Sequence, residues 1–446
     1  MMVILVAGPH RPPRWGQGLG LPYLAAVLEQ HGLKAKICDL YPPSPDTDDP
    51  TALDVRLADA IAREKPSIVG MTIHTPAYAE RVRLAKCIRE RLPEVLLIAG
   101  GHHPSAEPMH LLQNSDFDVC VIGEGEQALA EIARGVAEGK GRESGDWLRN
   151  TLGIVYKLQG QIVRTPPRRP VADLDSLPFP AHHLLGLENY APHPLLGIKS
   201  ASLITYRGCP KGCVFCLNPQ GRHVRRRSPS RVVDEMARVV KEFDVRGFNV
   251  YDNLFGLNRG HALAVCEEII RRRLGIMWDC WTAGDLVDAR LAERMKAAGC
   301  VRVGFGAESG DDEVLVRARR GFTVAQHEAG LRALRAGGLK VEAFFMFGLP
   351  GESQESVGRT VEFAKKCGAD EICLGVHRPY PGTAVWQTPG AFGVRIVRGP
   401  NFEAYIETEA LSRAAILERA RWAKEELKKC GLMKGDFLRC DRYTWE

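Results

Sequence analysis

Two series of strand–helix alternation limit what this chain can fold into. In the first 140 residues the apolar runs are "VILVA" (3–7), "AKICDL" (35–40), "SIVGMTI" (67–73), "VLLIAGG" (95–101) and "DVCVIG" (118–123). Segments with helical periodicity separate them. In "LGLPYLAAVLEQHG", Leu21, Leu24, Ala25 and Leu28 share one helical face and Gly32 supplies a stop. Strands that are apolar throughout and joined by helices read as a parallel sheet covered on both faces. Residues 1–145 are therefore expected to form a doubly wound α/β domain. In such a domain ligands bind outside the carboxyl ends of the strands. Here those ends carry "AGPHRPPRWGQGLG", "TIHTP", "GGHHP" and "GEGE". No G-x-G-x-x-G follows the first strand, and "GEGEQA" lacks the Walker lysine, which argues against a dinucleotide and excludes a P-loop.

The second series begins at 202 with "SLITY" (202–206), "FNVYD" (248–252), "IMWDCWT" (276–282), "VRVGFG" (301–306), "VEAFFMFG" (341–348) and "EICLGV" (371–376). Between them lie helical patterns such as "SPSRVVDEMARVVKEF", where Ser228 caps and Pro229 takes the first turn. Six such units point to a partial (β/α)6 barrel over 199–390, with its active site at the carboxyl ends of its strands. The intervening residues 146–198 read as a β-hairpin around Gly160 and then a proline-rich linker. Residues 391–446 read as a mainly helical C-terminal tail.

At 446 residues the chain exceeds one ordinary core, and its 45% hydrophobic and 26% charged content is that of a soluble protein. Its apolar runs fall far short of the roughly 20 residues that cross a bilayer. The N-terminus lacks a basic leader pattern, so a cytoplasmic location is expected. The net charge of +6 is mild. Its densest basic stretch, "GRHVRRRS" (221–228), reads as a solvated or carboxylate-binding loop rather than a phosphate strip. No aromatic residues interleave with it, so a nucleic-acid partner is not expected.

Thirteen cysteines in such a chain do not describe a disulfide scaffold. Ten are scattered, mostly through apolar segments, and read as small buried hydrophobes. The other three, Cys209, Cys213 and Cys216, are spaced C-x3-C-x2-C at the end of the first barrel strand, in a loop opened by Gly208 and Pro210. His223 offers a fourth ligand for a structural zinc site. Three thiolates also suit an iron–sulfur cube with one iron left for a small molecule.

This spacing, with Phe215 before the last cysteine, resembles the signature of the radical S-adenosylmethionine (SAM) superfamily. The resemblance implies a [4Fe–4S] cluster on Cys209, Cys213 and Cys216, with SAM on the fourth iron. Reduction, by an external donor of flavodoxin or ferredoxin type, would then yield a 5′-deoxyadenosyl radical. "VYDNLF" with Asp252, "GAESG" with Glu308, "FMFGLPGES" and "RPYPGT" resemble the SAM-binding elements of that family, in order and at strand ends. Glu308 is suited to accept hydrogen bonds from a ribose or an ammonium.

The N-terminal region is similar to the cobalamin-binding domain that precedes this barrel in one large subclass. The similarity rests on "LGLPYLAAVLEQHG", "GGHHPSAEP", "DVCVIGEGE" and the linker "DLDSLPFPA", and in all it covers about 1–385. It implies a corrinoid site at Leu19, Gly20, Thr72, Gly100, Gly101, His102, Gly123, Glu124 and Gly125. The Asp-x-His-x-x-Gly motif that supplies an axial histidine elsewhere is absent; His10 stands nearby, with Arg11 and Arg14 in the same loop.

The function implied is methyl transfer from SAM through methylcobalamin to a carbon or phosphorus centre of a small-molecule or peptide substrate. The two cofactors are expected to face each other across the domain interface. Radical rearrangement or cyclisation, and methylation without hydrogen abstraction, stay open. A methylthiotransferase would need three more clustered cysteines, and Cys38, Cys87 and Cys120 fall on or near different elements. A non-catalytic cobalamin or metal sensor would have no use for the SAM-binding series. Tyr380, Trp386, Trp278 and Trp281 read as core packing or as an aromatic pocket wall. His377 and Asp252 are candidates for handling a proton.

Overall fold

The computed structural model describes residues 1–7, 18–38, 50–142, 144, 146–193 and 196–433. His10, Arg11 and Arg14 lie outside the described residues. The chain divides into two compact units, Met1–Ala191 and Pro192–Glu446.

The first unit is built on seven strands: β1 (Met2–Val6), β2 (Lys34–Cys38), β3 (Ile68–Thr72), β4 (Leu96–Gly100), β5 (Val119–Val121), β6 (Ile154–Leu158) and β7 (Gln161–Arg164), in the order β2-β1-β3-β4-β5-β6-β7. β1 to β5 are parallel; β1, β3, β4 and β5 bury nearly all their side chains, which is why they read as unbroken apolar runs, whereas the edge strand β2 keeps Lys34 and Lys36 exposed. The order reverses between β1 and β3, so the crevice where such folds bind ligands opens at the carboxyl ends of those two strands. The helix Gly20–Gln30 buries Leu21, Ala25 and Leu28 as its periodicity requires, and Gly32 ends it at φ +71°. The hairpin around Gly160 continues the sheet rather than bridging away from it. β6 pairs antiparallel with β5, with Cys120 opposite Val155, so the exposed edge belongs to β7. Cys38 on β2, Cys87 in the helix Tyr78–Arg91 and Cys120 on β5 occupy three separate elements.

In the second unit six parallel strands follow one another in chain order: β8 (Ser200–Leu203), then, past the short pair β9 (Tyr206–Arg207) and β10 (Arg225–Arg226), β11 (Gly247–Val250), β12 (Met277–Thr282), β13 (Cys300–Glu308), β14 (Lys340–Phe347) and β15 (Glu371–Val376). Successive side chains alternate between the two faces. Phe248, Trp278, Val303, Phe305, Phe345 and Phe347 form the apolar core. Trp278 is core, and its indole N–H donates to the Ala298 carbonyl at 2.8 Å. The opposite face begins with a row of polar groups. Ser200 Oγ donates to Asn249 Oδ1 (2.7 Å), Asn249 Nδ2 to Asp279 Oδ1 (2.9 Å), and Arg302 stands between Asp279 and Glu342. Toward the carboxyl ends that face changes to Trp281 against Phe344 (ring centroids 4.6 Å apart), Met346 and Gly375.

The C-terminal tail, expected as mainly helix, opens instead with an antiparallel hairpin, β16 (Val394–Arg398) and β17 (Ala404–Thr408). The helix Arg413–Lys429 follows. Val394, Ile396, Ala404 and Ile406 alternate with Arg395, Val397, Tyr405 and Glu407, a period-2 pattern that suits a strand.

Candidate functional site

The cysteine loop leaves β8 through a turn tied down from below. Asp252, expected among the cofactor-binding residues, is buried, and its carboxylate accepts from the Thr205 and Tyr206 backbone N–H groups and from the Thr205 hydroxyl. Burial pushes this carboxyl up to about 6, the Thr205 bonds opposing. These bonds tie Asp252 to the root of the loop. Gly208 then turns the chain at φ +92°; a Cβ there would lie 2.1 Å from the His223 carbonyl oxygen, so only glycine fits.

The loop is gripped on both sides. Val214 donates its N–H to the Ala318 carbonyl and accepts from the Val385 N–H, both at 3.1 Å. Cys209 packs on Leu254, Ala283 and Phe322, and Phe215 packs on Val314, Ala318 and Leu349. The basic stretch 221–228 is scaffold for this loop. Arg222 Nη1 donates to the Lys211 carbonyl (2.7 Å), Arg225 Nη2 to the Gln220 carbonyl (3.0 Å), and Arg227 forms a buried ion pair with Glu235 at 2.6 Å.

Cys209, Cys213 and Cys216 are free thiols. Arg320, buried, aims Nη1 at Cys213 Sγ (3.8 Å) while Nη2 donates to the Gly306 carbonyl (2.8 Å) and stands 3.7 Å from Glu308 Oε1. Burial pushes the Cys213 thiol up, and the guanidinium pulls it back toward the thiolate. Glu308 closes β13 after a break in register, at φ +67°, with the Ser309 N–H bonded back to the Ala307 carbonyl at 2.9 Å. A glutamate in this left-handed γ-turn is strained, and such strain collects at functional sites. Burial raises its carboxyl, with Arg320 pulling it down.

The donor set fits an iron–sulfur cluster. Three thiolates share one loop, a guanidinium is poised to offset their charge, and a carboxylate stands beside it. His223 is exposed, and among the described residues no three His, Cys, Asp or Glu side chains converge as the donors of one ion would. Thiolates that each hold a different iron need not converge.

The turn after β14 supplies the next wall. Gly348 (φ +86°) donates its N–H to Glu352 Oε2, and its carbonyl faces His377 Nδ1 at 3.2 Å, which places the proton on Nδ1. Burial pushes the Glu352 carboxyl up to about 8 and draws His377 down to about 4. Thr408 of β17 donates to the Glu352 carbonyl (2.9 Å), so the C-terminal hairpin braces this turn. A carboxyl raised in the fold keeps its proton there while the unfolded chain has lost it, so stability falls as pH rises from about 4.5 to about 8. Glu352→Gln, which mimics the protonated form, is expected to remove a loss on the order of 3 kcal/mol. Urea unfolding of both proteins at pH 5 and pH 8 measures it, and equal pH slopes would contradict the burial argument.

In the first unit the predicted residues gather at one edge. Leu19 precedes the helix Gly20–Gln30, Thr72 ends β3, Gly100 ends β4, and Gly101 (φ +100°) leads into His102. Gly101 is packed against Thr72 Oγ1 and the Ile73 backbone, whereas a Cβ on Gly100 or Gly20 would enter open space. Ser105 joins the loops after β4 and β5: its hydroxyl donates to the Gly101 carbonyl (2.7 Å) and accepts from the Gly123 N–H (3.0 Å). Gly125 precedes the helix Glu126–Ala137. Glu124 accepts from the Val171 N–H at 2.9 Å and so fastens the proline-rich segment to this edge. Small residues over open space at a strand edge fit a large planar ligand.

Sequence reasoning missed Arg320, Lys211 and Ser105. Lys211 donates to the Gly321 carbonyl (3.0 Å) and lies 3.7 Å from the Phe322 ring centroid, tying the cysteine loop to the Arg320 segment. The available signal was faint: "RARRGFT" reads as an ordinary charged helix end.

A cysteine loop at the mouth of a six-stranded partial barrel, with a strained glutamate beside it, defines a radical SAM protein. The profile of the Radical SAM superfamily matches residues 203–364, and that of the B12 binding domain matches 15–133. The uncharacterized methyltransferase PH0819 of Pyrococcus horikoshii is 31% identical over 386 residues, covering 86% of this chain and 79% of that protein. The anaerobic magnesium-protoporphyrin IX monomethyl ester cyclase of Rubrivivax gelatinosus is 30% identical over 421 residues, covering 92% and 72%. Among solved structures, TsrM of Kitasatospora setae, a radical SAM methyltransferase with cobalamin and a [4Fe–4S] cluster bound, superposes with a TM-score of 0.75. At 21% identity it covers 96% of this chain and 88% of that one, a likeness of fold. The chain belongs to the B12-binding branch of the radical SAM superfamily.

Proposed function

We propose that this chain is a cobalamin-dependent radical SAM methyltransferase acting on a carbon or phosphorus centre of a small-molecule or peptide substrate. The observation that carries the reading is Arg320, which touches Cys213 with one nitrogen and stands beside Glu308 with another. It joins the cysteine loop and the strained glutamate into one site, in a chain that also holds a B12-binding unit. When bound, the cluster supplies an electron to SAM and the corrinoid carries a methyl group. Cys209, Cys213 and Cys216 hold the cluster. Glu308 accepts from the SAM ammonium or ribose, and the Gly348–Glu352 turn walls its nucleoside. Leu19, Gly20, Thr72, Gly100, Gly101, His102, Gly123 and Gly125 form the corrinoid edge, which Glu124 helps to shape. An external flavodoxin- or ferredoxin-type protein supplies electrons. Among the described residues no helix is long and apolar enough to cross a membrane.

Reconstituted protein incubated anaerobically with SAM and a reductant is expected to form 5′-deoxyadenosine and S-adenosylhomocysteine, read by mass spectrometry. 5′-Deoxyadenosine alone would favour a non-methylating reaction such as a cyclisation. Neither product would overturn the reading.

A further inference from the structure

A buried cation in the first unit has no ion-pair partner among the described residues. Arg81 lies in the helix Tyr78–Arg91, which begins just past the end of β3, and is only 1% exposed. Among the described residues its Nε and Nη2 have no hydrogen-bond partner. Asp54, on the neighbouring helix Pro50–Arg63, accepts from Arg83 Nε at 3.2 Å. Burial draws the Arg81 guanidinium down to about 10, with Glu80 and Asp54 pulling it back up. Burying a cation unpaired is costly, so this arrangement calls for an anion.

The surroundings say where that anion comes from. Three residues before Arg81, on the same buried face, is Tyr78. Its ring stands 4.8 Å from that of His103, and Thr75 Oγ1 lies 3.2 Å from His103 Nδ1. His103 belongs to the segment that follows Gly100 and Gly101. Thr75, Tyr78, His103 and Arg81 are all buried, and these contacts make a polar strip that leads from the segment after Gly101, next to His102 of the proposed corrinoid edge, to Arg81. The side chains around a corrin ring end in neutral amides, and the only peripheral anion of cobalamin is the phosphodiester of its nucleotide loop.

We propose that Arg81 is the phosphate-binding residue of the corrinoid site, pairing with that phosphodiester. The assignment rests on the corrinoid reading above. The measurement is binding of cobinamide and of cobinamide phosphate to the cofactor-free full chain, followed by visible absorbance. The two probes share one corrin ring and differ only by the phosphate. Wild type is expected to bind cobinamide phosphate roughly tenfold or more tighter than cobinamide, as suits charge-assisted hydrogen bonds in a buried site. Arg81→Met should bring that ratio close to one with cobinamide affinity unchanged, and Arg81→Lys should restore part of it. The cofactor-free Arg81→Met protein should melt no lower than wild type, since it loses an uncompensated charge. An unchanged ratio in Arg81→Met, a lower melting temperature, or a wild type that binds both probes equally would overturn the assignment while leaving the corrinoid reading intact. Failure of wild type to bind either corrinoid would remove both.

Discussion

Cys213→Ala, reconstituted anaerobically with iron and sulfide, is expected to retain close to none of the about four irons per chain that wild type takes up. Its brown absorbance should vanish with the iron. The loop itself should survive. It is held by backbone bonds from Val214 to Ala318 and Val385, by Gly208 and by Arg222, none of which needs the Cys213 sulfur. Far-ultraviolet circular dichroism close to wild type is therefore expected, and it separates loss of a ligand from loss of the fold. Cys300→Ala is the control. Cys300 is fully buried, its thiol donating to the Arg302 carbonyl at 3.5 Å, and its loss should lower stability and leave the iron in place. Full iron content in Cys213→Ala, or stoichiometric zinc in wild type, would contradict a cluster at this loop.

Glu308→Gly should separate stability from function. At φ +67° a glutamate carries roughly 1–2 kcal/mol of backbone strain that glycine does not. Against this relief stands the loss of its buried pairing with Arg320. The two oppose, and the variant is expected to unfold within about 1 kcal/mol of wild type. Its affinity for SAM should nonetheless fall roughly 10- to 100-fold, the worth of hydrogen bonds from a charged group to a buried carboxylate. Glu308→Gln, which keeps the size and the strained turn, should lose comparable affinity. Calorimetric titration of SAM into cluster-loaded protein, beside denaturant unfolding, reads both quantities. Unchanged affinity in Glu308→Gly would assign this glutamate to the fold alone.

Where local pattern decides the outcome, residues and structure agree. β1, β3 and β4 are apolar on both faces because helices cover both, and that shows as unbroken runs such as "VLLIAGG". The three cysteines and Glu308 stand out as candidates in the sequence because each sits in a short, ordered motif. Arg320 does not, since "RARRGFT" differs from a solvated helix end only in where the barrel carries it. Asp252 shows a related limit: an acid at a strand end reads as a ligand contact, and only the positions of Thr205 and Tyr206 show that its oxygens also hold the root of the cysteine loop. Arg81 lies deeper still. Its burial follows from the packing of two helices, and nothing in "YAERVRLAK" marks one arginine as different from the next.

The antiparallel hairpin β6–β7 also bears on how the chain folds as it is made. Synthesis runs from the N-terminus, and β5 leaves the ribosome well before its partner β6. Until residues 154–164 emerge, Val119–Val121 presents a bare apolar edge, the kind of surface on which nascent chains pair with one another. The helix Glu126–Ala137, with its apolar face Ala128, Leu129, Ile132 and Ala133, emerges in that interval and can dock before the edge is sealed. Completion of the N-terminal sheet therefore waits on a hairpin coded some thirty residues downstream of β5, and the interval of translation between them is when this protein is most exposed to misassembly.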